Sequence, residues 1–230
     1  MDNVKHIFFD LDHTLWDFEK NSAEALNEIF FEMNLHQEIP DVEDFIRTYK
    51  EINAQYWSLY NHGKVTKEQV RTGRFTDTLT RFGINNIAEK AEHLGETYIK
   101  RSPFKPHVFP DTHDTLDYLN EKYQLHIITN GFLEVQHIKL NNYKLHGYFD
   151  LILCTEEVGV NKPNPLVFET ALNRTKANPA ESLMIGDNPE TDIRGAQNCG
   201  IRTILFNPER HNHDVDSIEI QGLKELRGIL

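Results

Sequence analysis

Residues 7–14 read Ile-Phe-Phe-Asp-Leu-Asp-His-Thr, three consecutive apolar residues that break on a pair of aspartates, Asp10 and Asp12. An unbroken apolar run suits a strand buried on both faces of a parallel sheet, where helices cover both sides and no polar face is left. In such sheets ligands gather beyond the carboxyl ends of the strands, so the two carboxylates stand where a site is expected. Taken alone the pair reads equally well as an acidic turn, because aspartate is a common turn residue. Later strand ends shift the balance. Leu125-His-Ile-Ile-Thr129 closes on a hydroxyl followed by Asn130 and Gly131, and Ser182-Leu-Met-Ile185 closes on Gly186 and Asp187, with Asp192 five residues on. Between them Lys162 precedes Pro163 and Pro165, and proline is pre-organised for the first turn of a helix, here over residues 165–173.

Strands over 125–130, 150–154, 182–187 and 202–206 alternate with helices over 132–142, 165–173 and 191–198. This alternation predicts an α/β fold, a doubly wound parallel sheet with helices on both faces. The alternation is interrupted early. Ala23, Leu26, Ile29, Phe30 and Met33 recur at helical spacing, as do Phe45, Tyr49, Ile52 and Tyr56. Thr66-Lys-Glu-Gln69 has the pattern of a capping box and opens a third helix through Leu79, and a fourth covers 88–99. A smaller α-helical domain over residues 16–100 is thus inserted into a core made of residues 1–15 and 101–230. The alternation resumes near Phe104 to Pro110, with Asp111 or Thr112 capping a helix over 115–123. The segment after Pro208 reads as a polar tail whose His211 and His213 are solvated.

The formal net charge of −12 repels polymeric nucleic acid and makes any small anionic substrate dependent on a local cation. Cys154 and Cys199 read as buried free thiols of a reducing compartment. No apolar run approaches the ~20 residues that span a bilayer, so a cytoplasmic protein without a membrane partner is expected.

In order, Asp-x-Asp-x-Thr, Thr-Asn-Gly, Lys-Pro and Gly-Asp-x-x-x-x-Asp resemble the four motifs of the haloacid dehalogenase (HAD) superfamily, over residues 4–205. Asp10-Leu-Asp-His-Thr-Leu-Trp-Asp-Phe-Glu19 looks like its pyrimidine 5′-nucleotidase branch, in which His-Thr-Leu-Trp replaces Gly-Thr-Leu. The resemblance implies a Rossmann-like HAD core with a helical cap and a magnesium-dependent phosphomonoester hydrolase working through an aspartyl-phosphate. Asp10 would be the nucleophile and Asp12 the general acid and base. Mg2+ would be held by Asp10, Asp187 and the main-chain carbonyl of Asp12, leaving the Asp12 side chain free to move protons. Thr129 and Lys162 would hold the phosphoryl oxygens, with backbone N–H groups near Leu11 and Asn130. Asp192 would orient Lys162 or a metal-bound water, or else sit at a helix N-terminus for the sake of the dipole. Thr14 is expected to cap the turn after the first strand, and His13 to face solvent or the cap.

The substrate implied is a small phosphorylated molecule, a nucleoside monophosphate with a pyrimidine base. Phosphatases of sugar phosphates or phosphoglycolate, a sugar phosphomutase and a phospho-accepting regulatory module share parts of the pattern. The inserted helices speak against the regulatory module, and Asp12 speaks against a 2-haloacid dehalogenase. In the cap, Asn53, Tyr56, Trp57, Tyr60, Arg71 and Arg74 read either as groups that recognise a base or ribose, or as helix packing. The oligomeric state is left open.

Overall fold

The computed structural model describes residues 3–230. Strands are β1 (His6–Phe9), β2 (Gln124–Thr129), β3 (Leu151–Cys154), β4 (Ser182–Gly186), β5 (Arg202–Phe206) and β6 (Ile218–Ile220). Helices are α1 (Phe18–Glu32), α2 (Val42–Asn61), α3 (Arg74–Arg81), α4 (Ile87–Arg101), α5 (Thr112–Asn120), α6 (Leu133–Asn142), α7 (Pro165–Thr175) and α8 (Gly195–Asn198). The chain divides into two compact units. One ends at Phe18 and resumes over His107–Leu230, and the other is Glu19–Pro106. These limits lie a few residues beyond the expected ones for two reasons. Phe18 packs its ring on His13 at 4.7 Å and on Trp16 at 6.1 Å within the first unit. Lys105 pairs with Glu24 and Glu28, at 2.9 and 2.5 Å, within the second.

In the first unit all strands are parallel, in the order β3-β2-β1-β4-β5-β6. Side chains alternate between the faces as a period of two requires. Ile7 and Phe9 of β1, Leu125 and Ile127 of β2, and Leu183 and Ile185 of β4 join Leu116, Leu119 and Leu140 in one apolar cluster. Phe8, Ile128 and Met184 point the other way, into a cluster with Val167, Phe168 and Ala171 of α7. Ile7, Phe8 and Phe9 are all fully buried, each worth about 1.5–3 kcal/mol relative to exposure. The chain steps from β1 outward to β3, then crosses back over β1 to β4. The strand order therefore reverses between β1 and β4, and this switch point is where such sheets bind ligands.

In the second unit α1 to α4 enclose a cluster that includes Leu26, Phe30, Phe45, Tyr49, Phe75, Leu79 and Tyr98. The capping box forms reciprocally, with Gln69 N–H donating to Thr66 Oγ1 at 3.2 Å and Thr66 N–H to Gln69 Oε1 at 2.8 Å. The helix it opens is not regular. A π-helical stretch, Gln69–Gly73, precedes α3.

Several expectations fail locally. Residues 104–110 form no strand; Val108 makes one antiparallel bridge with Trp16. Asp111 stands at the N-cap of α5 with φ 61° and no side-chain cap bond, while the Thr112 hydroxyl donates to Phe109 O at 2.7 Å. The helix expected over 191–198 begins as a π-helical turn, Pro189–Arg194, before α8. The segment after Pro208 supplies β6 and the buried residues Ile220, Leu223 and Leu226, so it is not merely a polar tail. Cys199 is partly exposed, whereas Cys154 is buried and its thiol is pushed up to about 12 by burial. No helix among the described residues is long and apolar enough to cross a membrane.

On β1 and β2 the buried His6 and His126 share a hydrogen bond, Nδ1 to Nε2, of 3.1 Å. Burial first, and His6 second, hold His126 down at about 4. The folded protein thus resists a proton that the unfolded chain accepts near pH 6.5. Stability is unaffected above that pH and falls, on the order of 3 kcal/mol, as pH drops from about 6.5 to about 4. In urea unfolding, the wild type should lose stability relative to His126→Phe across that window; parallel pH curves for the two proteins would contradict this origin.

Candidate active site

Asp10 directly follows β1, and its N–H donates to Ile185 O at 2.9 Å, extending the β1–β4 ladder by one rung. Asp187 follows β4. The two carboxylates therefore emerge side by side at the switch point. Lys162, 1% exposed, reaches Asp10 from the loop before α7. Its ammonium donates to Asp10 Oδ1 at 2.7 Å, to Asp192 Oδ1 at 2.6 Å and to Ile128 O at 2.8 Å. All three of its N–H groups are thereby committed. In these contacts the lysine is the counter-charge of Asp10 and Asp192. Its pKa is raised, since the two carboxylates outweigh the burial that opposes its charge.

Asp192 lies within the π-helical turn, and its Oδ2 accepts the Asn188 N–H at 3.1 Å. It can pass so close to β4 because residue 186 is glycine; a Cβ there would collide with the Asp192 carboxyl. Asn130 clamps the lysine from the other side. Its amide accepts the Lys162 N–H at 2.9 Å and donates to Lys162 O at 3.1 Å, so its side chain holds a loop. Thr14 does not cap the turn as expected, but donates to Asp187 Oδ1 at 3.2 Å. His13, with φ 63°, is half-buried against Phe18.

Asp12 is not free of partners. Its Oδ1 accepts from Lys139 Nζ at 2.5 Å and its Oδ2 from Gln136 Nε2 at 2.8 Å. The same Gln136 nitrogen donates to Thr129 Oγ1 at 2.7 Å, and Thr129 also accepts the Gly131 N–H at 3.1 Å. Both contacts use the threonine oxygen as acceptor, which leaves its hydrogen to give. Gln136 and Lys139 were missing from the sequence reading. They stand three residues apart on the buried face of α6, where the sequence alone gives no sign that they turn inward.

Oxygens of Asp10, Asp187 and Asp192 lie within 4.8 Å of one another. Three carboxylates here face one ammonium, an excess of negative charge that fits a divalent cation. Lys162 and Thr14 take one oxygen each of Asp10 and Asp187, whereas both oxygens of Asp192 are engaged. Asp10 and Asp187 therefore each keep an oxygen for a cation, and Asp192 is bound to Lys162. Asp187 is pushed up to about 8 by burial first and by Asp192 second, against Lys162. Burial likewise lifts Asp10 well above the usual carboxylate range, with Lys162 opposing and Asp192 and Asp187 adding.

In the second unit, Asn53 and Arg74 are buried together, with Arg74 Nη1 donating to Asn53 Oδ1 at 2.6 Å. The guanidinium lies 5.0–5.6 Å from the ring centres of Tyr49, Phe75 and Tyr98. Tyr56, Trp57 and Tyr60 are half-buried and stand outside the apolar cluster. Tyr56 bonds Asp77 at 2.9 Å. His213 bonds Glu219 at 2.8 Å rather than joining a metal cluster.

A carboxylate cluster neutralised in part by one buried lysine, at the switch point of a doubly wound sheet, is the equipment of an α/β enzyme. A family model described as haloacid dehalogenase-like hydrolase matches residues 7–206, and the chain belongs to this family. Pyrimidine 5′-nucleotidase YjjG of Escherichia coli is 32% identical, over 97% of this chain and 96% of that protein. A glyceraldehyde 3-phosphate phosphatase of Methanothermobacter thermautotrophicus is also 32% identical, over 96% and 93%. The crystal structure of the putative HAD-hydrolase YfnB from Bacillus subtilis bound to magnesium superposes with a TM-score of 0.90 at 28% identity, covering 99% of this chain and 98% of that one. The chain is thus a HAD-type phosphatase.

The raised carboxylates give metal binding a pH signature. Carboxyls whose folded pKa lies above the unfolded value cost stability as pH rises from about 4 toward 8, and a bound cation offsets that cost. Magnesium should raise the thermal midpoint more at pH 8 than at pH 5. An equal rise at both, or none, would contradict this site.

Proposed function

We propose that the chain is a magnesium-dependent phosphomonoester hydrolase that acts through an aspartyl-phosphate on Asp10 and prefers pyrimidine nucleoside 5′-monophosphates. The observation that carries the chemistry is the Asp10–Lys162–Asp192 chain of ion pairs beside Asp187 at the switch point. Asp10 keeps one oxygen outside the lysine contact, and this oxygen would attack phosphorus as the bond to the leaving oxygen breaks. Lys162 holds the attacking carboxylate in place. Asp12 gives its proton to the departing oxygen, then takes one from the water that attacks phosphorus and releases Asp10. The Thr129 hydroxyl donates to an oxygen of the group in transfer. When bound through Asp10, Asp187 and the Asp12 carbonyl, magnesium would offset the repulsion between the carboxylate and the phosphoryl dianion.

The nucleotide preference rests on the His13-Thr14-Leu15-Trp16 variant and on the nucleotidase relative. The phosphatase of a triose phosphate, at equal identity, favours a second reading in which the substrate is a sugar phosphate. Phosphate release from dUMP, UMP, dTMP, AMP, glyceraldehyde 3-phosphate and phosphoglycolate separates the two. The first reading predicts magnesium-dependent release, abolished by chelator, that favours the pyrimidine nucleotides. Faster release from the triose phosphate would replace the substrate and keep the mechanism. Asp10→Asn should lower kcat to below about a thousandth of wild type in a variant that still folds, because the Lys162 ammonium keeps Asp192 and Ile128 O as partners.

A further inference from the structure

We infer that Lys139, Gln136 and Trp16 form a cradle that positions the Asp12 carboxyl for its proton transfers, a role that rests on the reading of Asp12 as acid and base. Lys139 is 3% exposed, and Asp12 is the only carboxylate it meets among the described residues. Its ammonium lies 4.0 Å from the ring centre of Trp16, which is itself fully buried. An indole face attracts a cation and fixes where it sits. The tryptophan of the Asp-His-Thr-Leu-Trp stretch thus acts at one remove: it carries the lysine that carries the aspartate.

Gln136 supplies the second hold. Its single NH2 group donates both to Asp12 Oδ2 and to Thr129 Oγ1, so one planar amide sets the spacing between the proton donor and the hydroxyl that faces the transferred group. Two observations show that the chain is built around this contact. Residue 131 is glycine, and a Cβ there would collide with the Gln136 amide. Gln136 Oε1 is buried without a hydrogen-bond partner. Leaving such an oxygen unpaired costs about 1–3 kcal/mol, and the amide keeps this orientation because turning it over would aim an oxygen at the Asp12 carboxylate. A lysine and a glutamine buried at such cost, whose side chains have no polar partner but Asp12 and Thr129 among the described residues, are positioning residues rather than packing.

The test separates leaving groups that need a proton from one that does not. A nucleotide expels an alkoxide and depends on Asp12, whereas p-nitrophenyl phosphate expels a stable phenolate. The ratio of kcat/KM for dUMP to kcat/KM for p-nitrophenyl phosphate covers the steps through cleavage of that bond. Lys139→Met should lower this ratio about tenfold or more, part of the 10²–10⁴ that an acid contributes, and Lys139→Arg should restore it to within about threefold. Gln136→Met provides the same test if Lys139→Met does not fold. Equal losses on both substrates, with a lowered thermal midpoint, would show a structural role only and overturn the cradle. A wild type that releases phosphate from neither substrate nor from glyceraldehyde 3-phosphate would instead overturn the phosphatase mechanism and the cradle with it.

Discussion

A lysine ammonium almost completely removed from solvent, with every N–H group committed, organises the carboxyl end of this sheet. Burying such a charge unpaired is prohibitive, and removing one partner of a buried pair costs about 3–5 kcal/mol. Lys162 therefore fixes whatever it touches. Through Asp10 it fixes the end of β1, through Ile128 O the end of β2, and through Asp192 the turn that follows β4. Asn130 then binds the backbone of the lysine itself, so the loop after β2 and the loop before α7 move as one. Strand ends that lie far apart in sequence become one rigid surface.

That surface is deliberately unbalanced. One ammonium cannot neutralise Asp10, Asp187 and Asp192, and burial deepens the imbalance, so the cluster holds protons that free carboxylates would release. A divalent cation resolves the same imbalance while leaving the carboxylates ionised, and an ionised Asp10 is what nucleophilic attack requires. Asp12, two residues away, is kept out of the cluster by its own cation, Lys139. The site thus sets two carboxylates on two separate lysines, the pairing that the proposed division into bond formation and proton transfer draws on.

Much of this was legible wherever the chemistry sits at a strand end. Asp10, Thr129 and Asp187 each follow an apolar run, which places them at one edge of the sheet before any contact is known. Lys162 was legible by its place before Pro163 and Pro165, and Asp192 as its partner by the family resemblance, but its contacts with Asp10 and Ile128 O were not, because nothing local tells whether a lysine faces a phosphate or an aspartate. Gln136 and Lys139 were hidden inside a helix that reads as ordinary, where inward polar positions are easily taken for solvated ones. The strand β6 is three residues long, too short for its alternation to register. Asp111 looked like a cap by composition, yet its left-handed backbone puts the carboxyl out of reach of the first turn. The π-helical stretches Gln69–Gly73 and Pro189–Arg194 shift helix register in a way that residue spacing alone does not reveal.

The proposed hydrolysis requires a covalent bond between Asp10 and phosphorus. Enzyme quenched in acid during turnover with saturating substrate, then reduced with borohydride and digested, reports that bond by peptide mass spectrometry, since an acyl-phosphate is reduced to an alcohol. The account predicts homoserine at Asp10 and at no other position. An unmodified Asp10, with the reduced residue at Asp12 or Asp187 instead, would contradict it.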